Sequence, residues 1–513
     1  MTDRQGCAPR LNRRLFLVTG LAAGGSLAMP RVAEAAMPSR STFAARDPFQ
    51  LGIASGDPRP DGMVLWTRLA PQPLDPDGGM GTREVTVEWE LATDEAFGNV
   101  VANGSETAIP SEGHSVHAEP EGVPAGGEYF YRFKADGYIS PVGRTRSAPA
   151  AGTHPGSVTF AMASCQHYEE GWFHAHHFIA ADEPDLVLFL GDYMYEKPSG
   201  QPDLVRGYID RAEATNLEMY RLRYSQHHLD LSLKAAHAVA PWVPVFDDHE
   251  LANNWYGNGS DWPAARKQDA FQAFWENMPV PKAMKPTGPA IPLYRRIPWG
   301  NLANLHMMDT RQYRWKQAPS QDCDEMGRDD RTLTGAKQEQ WLLDGLAEGG
   351  ARWDLLGQQV FFAMRDGDGD PDTCDTSPDA WDGYRANRQR ITQGWVDADV
   401  RNPVVLTGDV HRGWAASLRL DYFDHDSPYV GSELVTTSVT SHGDDTPPDL
   451  SNSPHLYYVG NQRGYVRVTV DNEQLTADAM ALSSVTEPDP ANVTASVAKK
   501  FAVYDGEPGV KEI

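Results

Sequence analysis

The stretch Asp185-Leu186-Val187-Leu188-Phe189-Leu190-Gly191-Asp192-Tyr193-Met194-Tyr195-Glu196 decides how this chain is read. Its first half is a short, continuously apolar run, the pattern of a strand buried on both faces. The run stops at a glycine, and a carboxylate, two phenols and a second carboxylate follow at once. Ligands of open α/β sheets bind just beyond the carboxyl ends of the strands, so polar groups gathered there point to chemistry. Phe160–Gln166, Val243–Glu250 and Val404–His411 repeat the same order of apolar run and polar cluster. Four such clusters imply convergence on one metal-centred site.

Working outward from that stretch, strands alternate with helices from about Val158 onward. Helices are expected over His174–Ala181, Asn216–Leu229, Pro263–Met278, Gly335–Glu348 and Asn387–Asp399. Strands are expected over Asn304–Met308, Trp353–Ala363, Pro403–Thr407, Ala415–Leu420, Glu433–Thr437, Gly464–Val470 and Leu475–Ala481. This rhythm describes an α/β layered domain, its sheets flanked by helices. Before it, short alternating runs such as Met63–Leu69, Val85–Leu91 and Tyr129–Lys134 are separated by Gly/Pro/Asp-rich breaks. That pattern fits an all-β sandwich domain with no cluster of ligand-type residues. The expected organisation is a targeting segment over 1–35, a linker over 36–46, the sandwich over 47–150 and the α/β domain over 157–513 with a C-terminal extension. The segment after Val485 is a candidate cover for the site.

The chain has 513 residues and a formal charge of −26. An acidic surface excludes a general nucleic-acid binder, which needs basic surface to neutralise phosphates. At the N-terminus, Arg13-Arg14-Leu15-Phe16-Leu17 precedes a Gly/Ala-rich apolar run, and Ala33-Glu34-Ala35 supplies a small-x-small cleavage site. The run is too short and glycine-rich for a transmembrane span. The paired arginines resemble a twin-arginine export signal, so the partner expected is that export machinery and the location secreted or periplasmic. Residues 1–35 carry +3, so the remainder carries about −29. Of four cysteines, Cys7 lies in the targeting segment. Cys323 and Cys374 sit in aspartate-rich loop sequence and suit a disulfide outside the cytoplasm. Cys165 is left over at a strand end, either a buried thiol or a metal-ligating thiolate.

The strand ends offer a thiolate at Cys165, a carboxylate and a phenol at Asp192 and Tyr195, and a carboxylate–imidazole pair at Asp248 and His249. Asp409 and His411 form a second such pair. Imidazole and phenolate complete a transition-metal shell, and carboxylates suit calcium or magnesium. Asp366-Gly-Asp-Gly-Asp370 resembles the start of a calcium loop, but its twelfth position is Ser377 and not glutamate, so it reads as an exposed loop.

Here a family resemblance becomes specific. Ser164-Cys165-Gln166, Gly191-Asp192-Tyr193-Met194-Tyr195-Glu196, Asp247-Asp248-His249-Glu250 with Asn253-Asn254, and Gly408-Asp409-Val410-His411 resemble the ordered motifs of PhoD-type alkaline phosphatases, a branch of the calcineurin-like metallophosphatases. Leu51–Pro58, Val64–Arg68, Met308–Tyr313, Gln340–Leu342 and Trp381–Tyr384 match as well. The resemblance implies a site holding Fe3+ and Ca2+. Cys165, Tyr195 and His411 are implied as iron ligands, Asp192 as the bridge, and Asp248 and Asp409 as calcium ligands. His249 is implied near the leaving group or transition-state oxygens. Asp409 stands where the wider superfamily has a histidine, and Cys165 replaces part of its first motif; both departures are those of the PhoD branch.

From these ligands follows in-line attack on phosphorus by a metal-bound hydroxide, without a covalent phosphoenzyme. Asn253 and Asn254 are read as neutral phosphate donors, and Arg311 and Arg412 as bidentate partners or structural ion pairs. His167, Tyr193 and Asp382 are supporting candidates. The substrates expected are phosphomonoesters and phosphodiesters. Two rivals stand: a phospholipase D-like phosphodiesterase on the same scaffold, and a non-catalytic exported binding protein with structural metals.

Overall fold

The computed structural model describes residues 46–257, 261–368, 373–424, 426–443, 446 and 448–513. The targeting segment expected over 1–35 and all but the last residue of the linker over 36–46 lie outside them. Two large sheets carry the site. In the ten-stranded sheet, Ser157–Ala163, Leu186–Leu190 and Pro241–Val245 lie side by side and parallel, with Leu188 opposite both Met162 and Val243. In the seven-stranded sheet, Ala303–Met307, Trp353–Gln358 and Pro403–Thr407 are parallel neighbours. Every residue of Leu186–Leu190 is fully buried, as a continuously apolar run requires. Buried leucine, valine and phenylalanine side chains contribute roughly 1.5–3 kcal/mol each, so these central strands are the stable frame on which the polar ends are mounted.

Helices His174–Asp182, Leu217–His228 and Ala264–Asn277 match the sequence reading to within about two residues. A further helix, Leu231–Val239, follows directly on the second of these. The Asp230 side chain caps its start, accepting from the main-chain N–H groups of Ser232 and Leu233. The strand expected over Trp353–Ala363 stops at Gln358. Beyond it the N–H groups of Phe362 and Ala363 donate to the buried Glu433 carboxylate at 2.8 Å each, so a side chain replaces the neighbouring strand as acceptor.

The N-terminal strands divide between two sheets. Ile53–Arg59 runs parallel to Pro241–Val245 and, with Gly62–Arg68 and Ser115–Ala118, completes the ten-stranded sheet. Val85–Ala92, Val100–Ala108, Glu128–Ala135, Tyr138–Ile139 and Gly143–Arg146 form a separate five-stranded sheet. Val87, Trp89, Tyr131 and Phe133 from that sheet share one apolar core with Ile53, Met63, Leu65 and Val116. At the other edge, Ala495–Tyr504 and Glu507–Glu512 extend the large sheet. The carbonyls of Val485 and Glu487 bind Trp172 and His174, so the C-terminal segment described as a candidate cover is tied to the start of a helix. Cys323 and Cys374 are joined in a disulfide, and Cys165 is free and buried. No helix among the described residues is long and apolar enough to cross a membrane.

Two glycines let the strand ends converge. Gly191 has φ +100°, and a Cβ there would lie 2.4 Å from the Asp247 Cβ. A Cβ on Gly408 would meet the Leu190 carbonyl oxygen at 2.8 Å and Ser164 at 3.0 Å, so the two sheets are in close contact here. Gly191→Ala combines a disfavoured backbone conformation with a backbone clash. It should destabilise the fold by roughly 2–4 kcal/mol in urea unfolding; an unchanged midpoint would show that the strand ends are not packed this closely.

Candidate metal centre

Cys165, Asp192, Asp247 and Asp409 each stand two residues beyond the end of a buried parallel strand. Cys165, Asp192 and Asp409 have φ of 58°, 57° and 60°, and His411 has 57°. Left-handed backbone at non-glycine residues costs on the order of 1–3 kcal/mol and concentrates at functional sites. In this fold it turns the chain sharply at the strand end and brings side chains from both sheets to one point.

The six residues expected as metal ligands are brought together. Potential ligand atoms of Cys165, Asp192 and His411 lie within 4.8 Å of one another, and so do those of Asp192, Asp248 and His249. A third group joins Asp247, Asp248 and Asp409. Asp192 belongs to the first two groups and Asp248 to the last two. Tyr195 completes the first: its hydroxyl donates to Asp192 Oδ2 at 3.0 Å, accepts from Ser441 Oγ at 2.7 Å and lies 3.1 Å from His411 Nε2. His411 Nδ1 faces the carbonyl of His442 at 2.8 Å, so Nδ1 carries the proton and Nε2 presents its lone pair inward. Burial pulls the His411 pKa down to about 4, which keeps the ring neutral as a ligand must be.

The strand ends are locked by Glu250, whose carboxylate accepts from the main-chain N–H of Asp192, Tyr193 and Asp247. His249 Nδ1 pairs with Glu196 Oε2 at 2.7 Å, leaving Nε2 4.0 Å from Asp248 Oδ2. Burial disfavours the imidazolium, but the carboxylates of Asp248, Asp192 and Glu196 outweigh it and hold the His249 pKa well above its usual value.

The donor set fits metal ions. Burial, reinforced by the Asp192 carboxylate, pushes the Cys165 thiol and the Tyr195 phenol well above their usual pKa values. Their anions are therefore stable here only against a cation. Asp247 Oδ2 and Asp248 Oδ1 are buried oxygens with no hydrogen-bond donor. Asp409 is pushed up to about 6, by burial first and against the pull of Arg311.

The other expected residues are placed differently. Asn253 is exposed and its main-chain N–H donates to Glu196 Oε1 at 3.1 Å; the N–H of Asn254 donates to Asp248 Oδ2 at 2.6 Å. Arg412 is buried and donates Nη2 to the Thr446 carbonyl. Arg311 takes the ion-pair reading: its fully buried guanidinium meets Asp247, Asp248, Asp379 and Asp409. Tyr193 points away, into a histidine cluster with His228 and His237. His167 packs against the Tyr195 ring, and Asp382 pairs with Arg388. Sequence reading gave no role to Asp247, Ser441 or Asp379. Asp247 directly follows the apolar run Val243–Phe246, a weak signal; Ser441 and Asp379 come from loops without one.

Comparison with known proteins identifies the family. Residues 160–479 match the model of the PhoD-like phosphatase family, and residues 34–149 match that of the PhoD-like phosphatase N-terminal domain. Alkaline phosphatase D of Bacillus subtilis (strain 168) is 42% identical over 485 residues, covering 91% of this chain and 82% of that protein. A solved structure of PhoD superposes with a TM-score of 0.86 at 41% identity, covering 92% of this chain and 93% of the other. The purple acid phosphatase PPD1 of yellow lupin (Lupinus luteus) seeds shares the fold alone, at a TM-score of 0.55 and 12% identity over 88% of this chain and 73% of its own. The chain belongs to the PhoD-like phosphatase family.

Proposed function

We propose that the chain is an exported, metal-dependent alkaline phosphatase that hydrolyses phosphomonoesters and also phosphodiesters. The observation that carries this reading is the sharing of Asp192 between two chemically unlike ligand groups. One offers thiol, phenol and imidazole and suits Fe3+; the other sets Asp192 beside Asp248 and His249, and Asp248 leads on to the carboxylates of Asp247 and Asp409, which suit Ca2+. Cys165, Tyr195, Asp192 and His411 are assigned to the iron, and Asp192, Asp248 and Asp409 to calcium. When bound, such cations neutralise phosphate charge and acidify a water for in-line attack on phosphorus. The B. subtilis relative is named for alkaline phosphatase activity, which supports the reaction class.

The chain's own residues then have separate roles. His249, charged and oriented by Glu196, donates its Nε2 proton to the leaving oxygen, a role worth roughly 10²–10⁴-fold. Asn253, exposed and with its main chain pinned by Glu196, offers a neutral amide to the phosphate. Arg412, next to His411 in sequence, adds positive charge on the same side. We further assign residues 47–150 to a sandwich-type N-terminal domain, 157–513 to the metallophosphatase domain, and 1–35 to a twin-arginine signal that directs export.

Asp192→Asn removes the charge common to both groups. Hydrolysis of p-nitrophenyl phosphate should fall at least about 10³-fold; full activity would sink the two-metal reading and revive the binding protein. The purified protein should also be coloured, because thiolate and phenolate on ferric iron absorb visible light; a colourless, iron-free and fully active preparation would remove iron. Rates on a monoester, a diester and phosphatidylcholine, measured side by side, should favour the first two, and a clear preference for the phospholipid would move the assignment to a phospholipase D-like enzyme.

Glu196 raises the His249 pKa, so the protonated acid persists to higher pH when Glu196 is present. Glu196→Gln should therefore move the alkaline limb of the kcat/KM profile down by roughly 1 pH unit. An alkaline limb that stays in place would exclude His249 as the acid.

A further inference from the structure

We propose that Asp379 is a positioning residue: it holds the Arg311 guanidinium in the orientation that leaves the Asp247–Asp248–Asp409 group open to a divalent cation. This inference rests on the metal-dependent reading above and deepens it.

The guanidinium of Arg311 has three nitrogens, and each has a separate task. Nε binds Asp247 Oδ1 at 2.5 Å. Nη2 lies 3.4 Å from Asp409 Oδ1 and 3.5 Å from Asp248 Oδ1. Nη1 faces away from that group and meets both oxygens of Asp379 at 3.2 Å. Asp379 is itself fixed by Arg314 Nη1 at 2.7 Å and Gln317 Nε2 at 2.6 Å, and its carbonyl accepts from Arg314 Nη2 at 2.9 Å. The side chains of both arginines are fully buried.

Charge gives the arrangement its meaning. Asp247, Asp248, Asp409 and Asp379 set against Arg311 and Arg314 leave a formal charge of −2, to which the Asp192 carboxylate beside Asp248 adds, so the group stays anionic and suits a divalent cation. Without the Asp379 carboxylate the site is one charge less negative, Nη1 has no anionic partner, and the fork is held only through Nε at Asp247, about which it can pivot toward Asp248 and Asp409. A planar donor fork held at both Nε and Nη1 cannot make that turn. Asp379 lies five residues beyond Cys374, whose disulfide to Cys323 anchors this part of the chain.

The test measures calcium binding to the purified full chain by titration calorimetry, with the visible absorption band as a monitor of the Cys165–Tyr195 group. Asp379→Asn should weaken calcium binding about 10–100-fold with the band unchanged, and kcat should recover at saturating calcium. Asp379→Glu, which keeps the charge, should recover most of the affinity. Unchanged calcium affinity in Asp379→Asn, or equal loss in Asp379→Glu and Asp379→Asn together with loss of the band, would overturn the assignment. If the unaltered chain binds no calcium, the metal reading itself fails; if it binds calcium and the variant binds it equally well, only the role of Asp379 fails.

Discussion

The carboxylate of Asp192 is buried at a left-handed backbone position, between a thiol and an imidazole on one side and a carboxylate and a second imidazole on the other. Holding one charged group there constrains much of what surrounds it. Gly191 must be glycine for the strand end to pass Asp247, and Gly408 must be glycine for the second sheet to reach Leu190. Glu250 ties the two adjacent strand ends through three main-chain N–H groups. A carboxylate removed from water is unfavourable without a counter-charge, and burial indeed pushes its pKa well above the usual range. The fold therefore concentrates negative charge at a place where cations must balance it.

The balancing is divided unevenly. Around Cys165, Tyr195 and His411 the groups are neutral unless a cation is close, because burial disfavours the thiolate and phenolate and keeps the imidazole unprotonated. Around Asp247, Asp248 and Asp409 a resident cation, Arg311, is already built in. His249 and Glu196 form a third unit, in which a buried imidazole stays charged because three carboxylates surround it. Soft and hard ligand chemistry, together with an acid, thus lie within a few ångströms on a single scaffold.

The strand ends were legible in the sequence because each signal was local: an apolar run, then a polar residue two positions past its end. That rule locates Cys165, Asp192 and Asp409; in the run Val243–Phe246 it points to Asp248, and Asp247 is missed because the strand ends one residue earlier, at Val245. The disulfide was legible from two cysteines in loop sequence outside the targeting segment. What escaped depended on contacts between distant parts of the chain. Asp379 lies just past the Asp/Gly-rich stretch that reads as exposed loop, and only the fold brings Arg311 and Arg314 to it. Glu196 has no role that its motif alone reveals, and only the fold places His249 beside it. Ile53–Arg59 reads as part of the first domain, yet its pairing partner is Pro241–Val245, nearly two hundred residues later. Trp353–Ala363 was read too long as a strand because the Glu433 carboxylate that ends it comes from another strand.

The proposed role of Asp192 is to join two unlike cations. Anomalous diffraction from crystals of the purified protein, collected above and below the iron absorption edge, tests it most directly. The expected result is an iron peak bounded by Cys165, Tyr195, Asp192 and His411, and a second, non-iron peak on the far side of Asp192 beside Asp248 and Asp409. Iron found elsewhere, or a single ion with Asp192 as a terminal ligand, would contradict it.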